Sequence, residues 1–421
     1  MDEDAVRNEL SRRRFLEMSS AAAAVASAGG LSAERSRAQA QESAPKGPSD
    51  QSLTIRGPQN APLTAANHDS VVPPPSDHGN VPPFKYPFSY SHRRTHEGGW
   101  ARQVTIQDLP ISTTLAGVNM RLTAGGIREL HWHTAAEWAL MLYGNARITA
   151  LDVDGKGFVS DVKQGDLWNF PSGVPHSIQG LGPDGCEFLL VFDEGNFSEY
   201  DTILISDLLA HTPRSVVAKN FGVSESTLNP LPKGELFIFQ ADLPGSLEED
   251  RRAVAGSIGL SPVRFDFRLM EQQPTKKTKS GEVRIVDSTT FPASSTIAAA
   301  LVTLHPGGLR EIHWHPNADE WQYFVAGKGR MTVFAAAGRA RTMDFEAGDV
   351  GYVQKTLPHY IENTGDTDLI FLEMFKSPVY QDISLSEWIS HTPPELIAAH
   401  LNLDKATIEA IPKRNAAVVP L

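Results

Sequence analysis

Gly125-Gly126-Ile127-Arg128-Glu129-Leu130-His131-Trp132-His133 reappears 182 residues later as Gly307-Gly308-Leu309-Arg310-Glu311-Ile312-His313-Trp314-His315. Upstream, Ile111-Ser112-Thr113-Thr114-Leu115-Ala116 aligns with Ala293-Ser294-Ser295-Thr296-Ile297-Ala298 at the same offset. Downstream the second copy gains one residue, so that Glu137-Trp138 matches Glu320-Trp321, Gly165-Asp166 matches Gly348-Asp349, and Pro175-His176 matches Pro358-His359. Each copy closes on His-Thr-Pro, at 211–213 and 391–393. Such self-similarity marks a tandem duplication of one domain. A chain of 421 residues has room for two.

Within each copy, short apolar or β-branched runs such as Ala146–Val153 and Glu187–Phe192 alternate with Gly, Asp and Pro turns. The 33 glycines and 29 prolines favour many short strands over long helices. The expected fold is all-β, a closed or double-sheet barrel with small helices at its periphery. Thr212-Pro213 opens one such helix, which stops at Gly222. Thr392-Pro393-Pro394-Glu395 reads as a capping box for its counterpart, Glu395–Leu401.

The N-terminal region reads differently. Arg12-Arg13 with Phe15-Leu16, an alanine-rich run and Ala38-Gln39-Ala40 have the parts of an export signal over residues 1–40. The arginine pair resembles the twin-arginine signal for folded cargo, which implies a periplasmic or extracellular protein. Residues 41–83, rich in Pro, Ser and Gly, are expected as a linker or extended arm. The two copies then occupy 84–235 and 236–421. A net charge of −12 argues against nucleic acid or an anionic membrane as partner. Cys186 is the only cysteine, which excludes an intrachain disulfide and a thiolate metal site.

Besides the two of the His-Thr-Pro segments, six of the fourteen histidines fall at matched places in the repeat. His131 and His133 are two apart, so a strand points both to one face. Glu137 returns after a short turn, and His176 arrives from a later strand. Three imidazoles and one carboxylate make a mononuclear metal site with positions left open for other ligands. The second copy supplies His313, His315, Glu320 and His359. Ligand type alone does not separate manganese from iron.

Gly125-x5-His131-x-His133-x3-Glu137-x6-Gly144 resembles the first cupin motif, and Gly165-x5-Pro171-x-Gly173-x2-His176 the second. The C-terminal copy departs with Gln354 and Thr356 where Pro and Gly are usual; both shape a turn, and the metal is expected to survive. The chain from about Phe84 onward is similar to the bicupin oxalate decarboxylases. That resemblance implies a tandem double-stranded β-helix (jelly-roll) fold and a homo-oligomer, trimer or hexamer. It implies two manganese ions per chain, and conversion of oxalate to formate and carbon dioxide with dioxygen present. It also assigns Arg128 and Arg310 to the substrate carboxylate, although plain strand alternation puts Arg128 on the face opposite His131. The family carries its proton relay on a mobile lid, to which Ser198, Glu199 and Thr202 correspond, whereas Tyr200 and Asp201 replace small polar residues. Glu373 resembles the family's candidate acid of the second site, and the main catalytic load is expected in the N-terminal copy.

The chemistry suits these residues. The central bond of oxalate resists heterolysis, and loss of one electron first makes release of carbon dioxide far easier. An oxalate oxidase, with peroxide as product, is the nearest alternative; it needs no protonation at carbon, so Glu199 speaks for the decarboxylase. A storage cupin would have lost ligands. A sugar- or quercetin-modifying cupin would need a larger pocket.

Overall fold

Gly144 and Gly327 carry each copy from one face to the other. In the first copy a fifteen-residue strand, Glu137–Leu151, passes through Gly144. Its first part pairs with Cys186–Phe192 and Leu167–Phe170, and its second with His176–Gly180 and Gly157–Lys163. Gly144 has φ 73°, and a Cβ there would lie 2.0 Å from the Gly185 carbonyl oxygen. Only glycine fits that crossing. In the second copy, strands Glu320–Ala326 and Lys328–Phe334 meet at Gly327, whose φ is 83°. The second copy has two antiparallel sheets, of seven and six strands, whereas in the first the strand Glu137–Leu151 joins both faces into one twelve-stranded sheet. Trp138, Trp168 and Phe188 are fully buried in the first, and Trp321, Tyr352 and Phe371 in the second.

The structure is a computed structural model and describes residues 55–71 and 79–420. The export signal expected over residues 1–40 lies outside them. Among the described residues, no helix is long and apolar enough to cross a membrane.

The chain forms two units, but not by a single cut at 235/236. One unit comprises Tyr90–Glu271 and Asp287–Ile297; the other takes Gln272–Val286, the described residues from Ala298 onward and those before Tyr90. Sheet edges explain the exchange, because an edge strand's free N–H and C=O groups need a partner. Lys85–Pro87 pairs with Asp349–Val353 in the second unit, and Asp266–Phe267 pairs with Leu167–Phe170 in the first. Ile238–Gln240 likewise adds to Gly126–Trp132. The arm expected over 41–83 is partly helical: Ala61–Ala66, capped by Asn60, and His68–Val71. Asp69 anchors it by accepting from the Thr342 amide at 3.1 Å.

Helix Arg214–Phe221 ends at Gly222 in the left-handed conformation, as expected. The capping box at Thr392 does not form. Pro393 occupies the N-cap of Pro394–Leu401, and Thr392 donates its hydroxyl to the Trp388 carbonyl (2.9 Å), closing the preceding helix instead.

Candidate metal centres

Alternation along strand Gly126–Trp132 is broken once. Arg128 pairs with Ile178 and His131 with His176, three residues on one strand against two on the other. This β-bulge turns Arg128 onto the face of His131. Strand Gly308–Trp314 repeats it, with Arg310 opposite Ile361 and His313 opposite His359. Arg128, Glu129, His131 and His133 are consequently all buried, while Leu130 is exposed.

The bulged strand is pinned by a glutamate to which the motif reading assigned no role. Glu129 accepts from the Ser206 amide and hydroxyl (both 3.1 Å) and from the Leu236 amide (2.9 Å). Glu311 accepts from the Ser384 hydroxyl (2.6 Å) and the Ala417 amide (2.8 Å). Repetition in both copies was the available signal.

The structure brings His131, His133, Glu137 and His176 together, and likewise His313, His315, Glu320 and His359. In each group the ligating atoms lie within 4.8 Å of one another, and all eight residues are buried. Each imidazole is oriented from behind. His131 Nδ1 donates to the Glu129 carbonyl (2.6 Å), His133 Nδ1 to Ala135 (2.7 Å) and His176 Nδ1 to Val174 (2.8 Å). In the second group His313 donates to Glu311 (2.7 Å), His315 to Gln381 (2.6 Å) and His359 to Leu357 (3.1 Å). A hydrogen on Nδ1 leaves the Nε2 lone pair facing inward.

These lone pairs test whether a cation fits. The Nε2 atoms of His176, His313, His315 and His359, and Glu320 Oε2, are buried without a hydrogen-bond partner among the described residues. Glu320 Oε2 nevertheless lies 2.8 Å from His359 Nε2 and 3.1 Å from His315 Nε2. Acceptors aimed at one another in a dry interior are costly unless a cation sits among them. The donor set fits a divalent metal. Burial also drives His131 and His313 well below the ordinary imidazole range, towards the neutral, ligating form. Burial would raise Glu137; the His176 and His133 imidazoles beside it outweigh that and hold it below the usual carboxylate range.

The two copies orient their carboxylates by different means. Trp168 Nε1 donates to Glu137 Oε1 at 3.1 Å, across a strand pair in which Ala139 faces Trp168. In the second copy Gln322 faces Gly351, and its Nε2 donates to Glu320 Oε1 at 2.6 Å. The large residue has changed strands; a Cβ on Gly351 would lie 2.5 Å from Gln322 Oε1.

Thr356 shows what the altered second motif costs. Gly173 has φ 76° and donates its amide to the His133 carbonyl (3.0 Å); Thr356 has φ 69° and donates to the His315 carbonyl (2.9 Å). The turn is preserved, as expected, but with a β-branched residue in the left-handed region. Thr356→Gly should therefore raise stability by about 1 kcal/mol, the relieved strain exceeding glycine's entropic cost. Denaturant unfolding of the two proteins measures it.

Around the first centre, Glu199 lies in the short 3-10 turn Glu199–Asp201, which Ser198 caps by accepting from the Tyr200 amide (3.2 Å). Glu199 is buried, and its Oε2 accepts from Arg128 Nη2 at 3.2 Å. Burial pushes its carboxyl above the usual range, against the opposing pull of Arg128. Arg128 also donates to the Phe237 carbonyl (3.3 Å).

Arg310 is engaged more fully. Its Nε donates to Glu373 Oε1 (3.1 Å), and its Nη2 to the Tyr380 hydroxyl (2.7 Å) and Asp382 Oδ2 (3.1 Å). Nη1 reaches the Ala417 carbonyl at 3.4 Å. The arginine expected to bind substrate is thus neutralised by Glu373 and by Asp382, a residue sequence reading missed because no motif contains it. Beside this charge the Asp382 carboxyl is held down at about 2, overcoming the effect of burial.

Two such groups predict two divalent ions per chain, to be counted by elemental analysis after manganese-supplemented expression. His313→Ala should lose one of them and lower the melting temperature, because Glu320 and its remaining imidazoles then lack their cation.

The sequence profile of the Cupin family matches residues 88–229 and 267–409. The oxalate decarboxylase OxdC of Bacillus subtilis is 52% identical over 370 residues, 88% of this chain and 95% of that protein. A probable oxalate decarboxylase of Arthroderma benhamiae is 41% identical over 350 residues, 82% of this chain and 85% of that protein. A solved structure concerned with the Mn(II) centres of Bacillus subtilis oxalate decarboxylase superimposes with a TM-score of 0.84. It shares 51% identity and covers 87% of this chain and 96% of its own. With its motifs, its duplicated barrels and its two histidine–glutamate centres, the chain belongs to the cupin family.

Proposed function

We infer that this protein is a manganese-dependent oxalate decarboxylase, converting oxalate to formate and carbon dioxide with dioxygen present, mainly at its N-terminal centre. One observation carries the assignment of the site: a buried carboxylate, Glu199, sits on Arg128 beside the first ligand group, whereas Arg310 in the second copy is already neutralised. His131, His133, Glu137 and His176 would hold the first ion, and His313, His315, Glu320 and His359 the second. A bound manganese supplies Lewis acidity and a one-electron couple, which zinc lacks.

The chain's own residues do the rest. Arg128 presents a guanidinium to one oxalate carboxylate, a planar match for two-point binding. Glu199 takes the proton from the acid as a base and returns it to carbon as an acid after carbon dioxide leaves. Its raised affinity for a proton, set by burial, suits that relay. The closed turn Glu199–Asp201 keeps water from the reacting carbon. Glu373, fully buried on Arg310, keeps the second centre electrically balanced, and we assign that centre a chiefly structural role.

Formate, peroxide and oxygen uptake, measured together on manganese-loaded protein, test this reading. Formate in large excess over peroxide, with little net oxygen consumed, is the expected result. Peroxide stoichiometric with oxalate would make the protein an oxidase.

The family resemblance also supports a homo-oligomer, trimer or hexamer, which sedimentation would read. Arg12-Arg13 supports export by the twin-arginine route. Replacing both arginines with lysine should leave the precursor inside the cell, read by fractionation; mature protein still appearing outside would refute the route.

A further inference from the structure

The lid residue Tyr200 is large, aromatic and 69% exposed, at a position where small polar residues are usual. Its ring is not idle. The Arg94 guanidinium lies 5.0 Å from the Tyr200 ring centroid and 3.7 Å from that of Phe237. Arg128 also lies over Phe237, at 4.3 Å, and the His96 ring stands 5.0 Å from it. Glu235 Oε1 holds Arg94 Nη2 at 2.6 Å and so anchors the stack. A column Tyr200–Arg94–Phe237–Arg128 thus joins the outside of the lid to the arginine that Glu199 touches from the inside.

Phe237 itself is strained, with φ 55°, a conformation rare for a bulky residue. Backbone bonds hold it there: its carbonyl accepts from the Glu129 amide (3.1 Å) and from Arg128 Nη1. The second copy reproduces this backbone at Ala417, with φ 61° and the Glu311 amide on its carbonyl at 3.0 Å. There the side chain is a methyl group, and no such stack is built. The scaffold does not require the aromatic ring; only the copy that carries the lid has it.

We propose that Tyr200 and Arg94, stacked on Phe237, are positioning residues that latch the lid closed and keep Glu199 against Arg128 while the reacting carbon is protonated. The proposal rests on the decarboxylase reading. The cation–π contacts favour the closed lid, and Glu199 then delivers its proton before the one-carbon fragment is oxidised by dioxygen to a second carbon dioxide and peroxide. Tyr200 and Arg94 act through Glu199 and Arg128 and touch neither substrate nor metal.

The test uses the manganese-loaded full chain as wild type, Tyr200→Phe, Tyr200→Asn and Arg94→Gln. Amide hydrogen exchange of the segment 196–204 reads lid opening, and the formate-to-peroxide ratio reads its consequence. Exchange through local opening follows the opening equilibrium. Tyr200→Asn and Arg94→Gln should raise it about twofold to fivefold, the span that loss of one exposed cation–π contact allows. Both should shift products towards peroxide, with exchange elsewhere unchanged. Tyr200→Phe keeps the ring face and should match wild type in both measurements. Lid exchange in Tyr200→Asn equal to wild type, or Tyr200→Phe as fast as Tyr200→Asn, overturns the latch. Faster exchange with an unaltered product ratio overturns its role in positioning Glu199. If wild type makes neither formate nor peroxide from oxalate, the reaction assignment fails and with it the positioning role, while the exchange comparison still decides the latch.

Discussion

In Glu199→Gln, formate production falls by about 10²–10⁴-fold, the usual contribution of a general acid–base group. The substitution keeps size and a hydrogen-bond acceptor for Arg128 Nη2 but removes the group that carries the proton. The ligands His131, His133, Glu137 and His176 are untouched, so metal content should match wild type. Carbon dioxide can still leave, but the one-carbon fragment finds no proton at carbon, and the residual turnover diverts to peroxide. The formate-to-peroxide ratio at matched manganese content is the measurement. Formate at near wild-type rate in this variant would remove Glu199 from the mechanism and move the relay to Glu373, buried beside Arg310 in the other copy.

His131→Ala reduces turnover to background. His131 is the residue through which the bulged strand meets the first centre: its Nδ1 is held by the Glu129 carbonyl, and Glu129 is itself held by Ser206 and Leu236. Removing the imidazole leaves two nitrogens and a carboxylate, and the weakened site should lose its ion. Metal content should fall from about two ions per chain to about one, because His313, His315, Glu320 and His359 form a separate group. Elemental analysis and the oxalate assay on the same preparation decide it. Turnover that survives with a single ion per chain would place catalysis at the second centre. His313→Ala is the reciprocal control, with stability rather than turnover as its main expected loss.

The ligand sets were legible because part of their spacing is local and the whole pattern is duplicated. A strand's period of two puts His131 and His133 on one face whatever the rest of the chain does, and duplication repeats the pattern at His313 and His315. The all-β architecture was legible for the same reason, as turn residues punctuate short apolar runs. Arg128 was not. Whether it faces the metal depends on a bulge against Gly180's strand, His176–Gly180, and pairing by alternation gives the opposite answer. Family resemblance reached the same assignment without the geometry.

The units do not divide at 235/236, because Ile238–Gln240 and Asp266–Phe267 pair with strands of the first copy, and edge pairing is a choice between distant partners. Lys85–Pro87 finds Asp349–Val353, some 260 residues away, and nothing in either segment names the other. The capping box at Thr392 failed on a narrower competition, in which the hydroxyl satisfied Trp388 behind it rather than an amide ahead.

By itself, then, the sequence determined the duplication, the barrel class and the eight candidate ligands, which follow from periodicity, motif spacing and the repetition of both in the second copy. Tertiary structure decided that Arg128 shares a face with His131, that Asp382 and Tyr380 occupy Arg310, and that Tyr200 lies over Arg94. These depend on contacts between segments far apart in the chain, where burial and unpaired polar groups, not local conformational preference, select the partner.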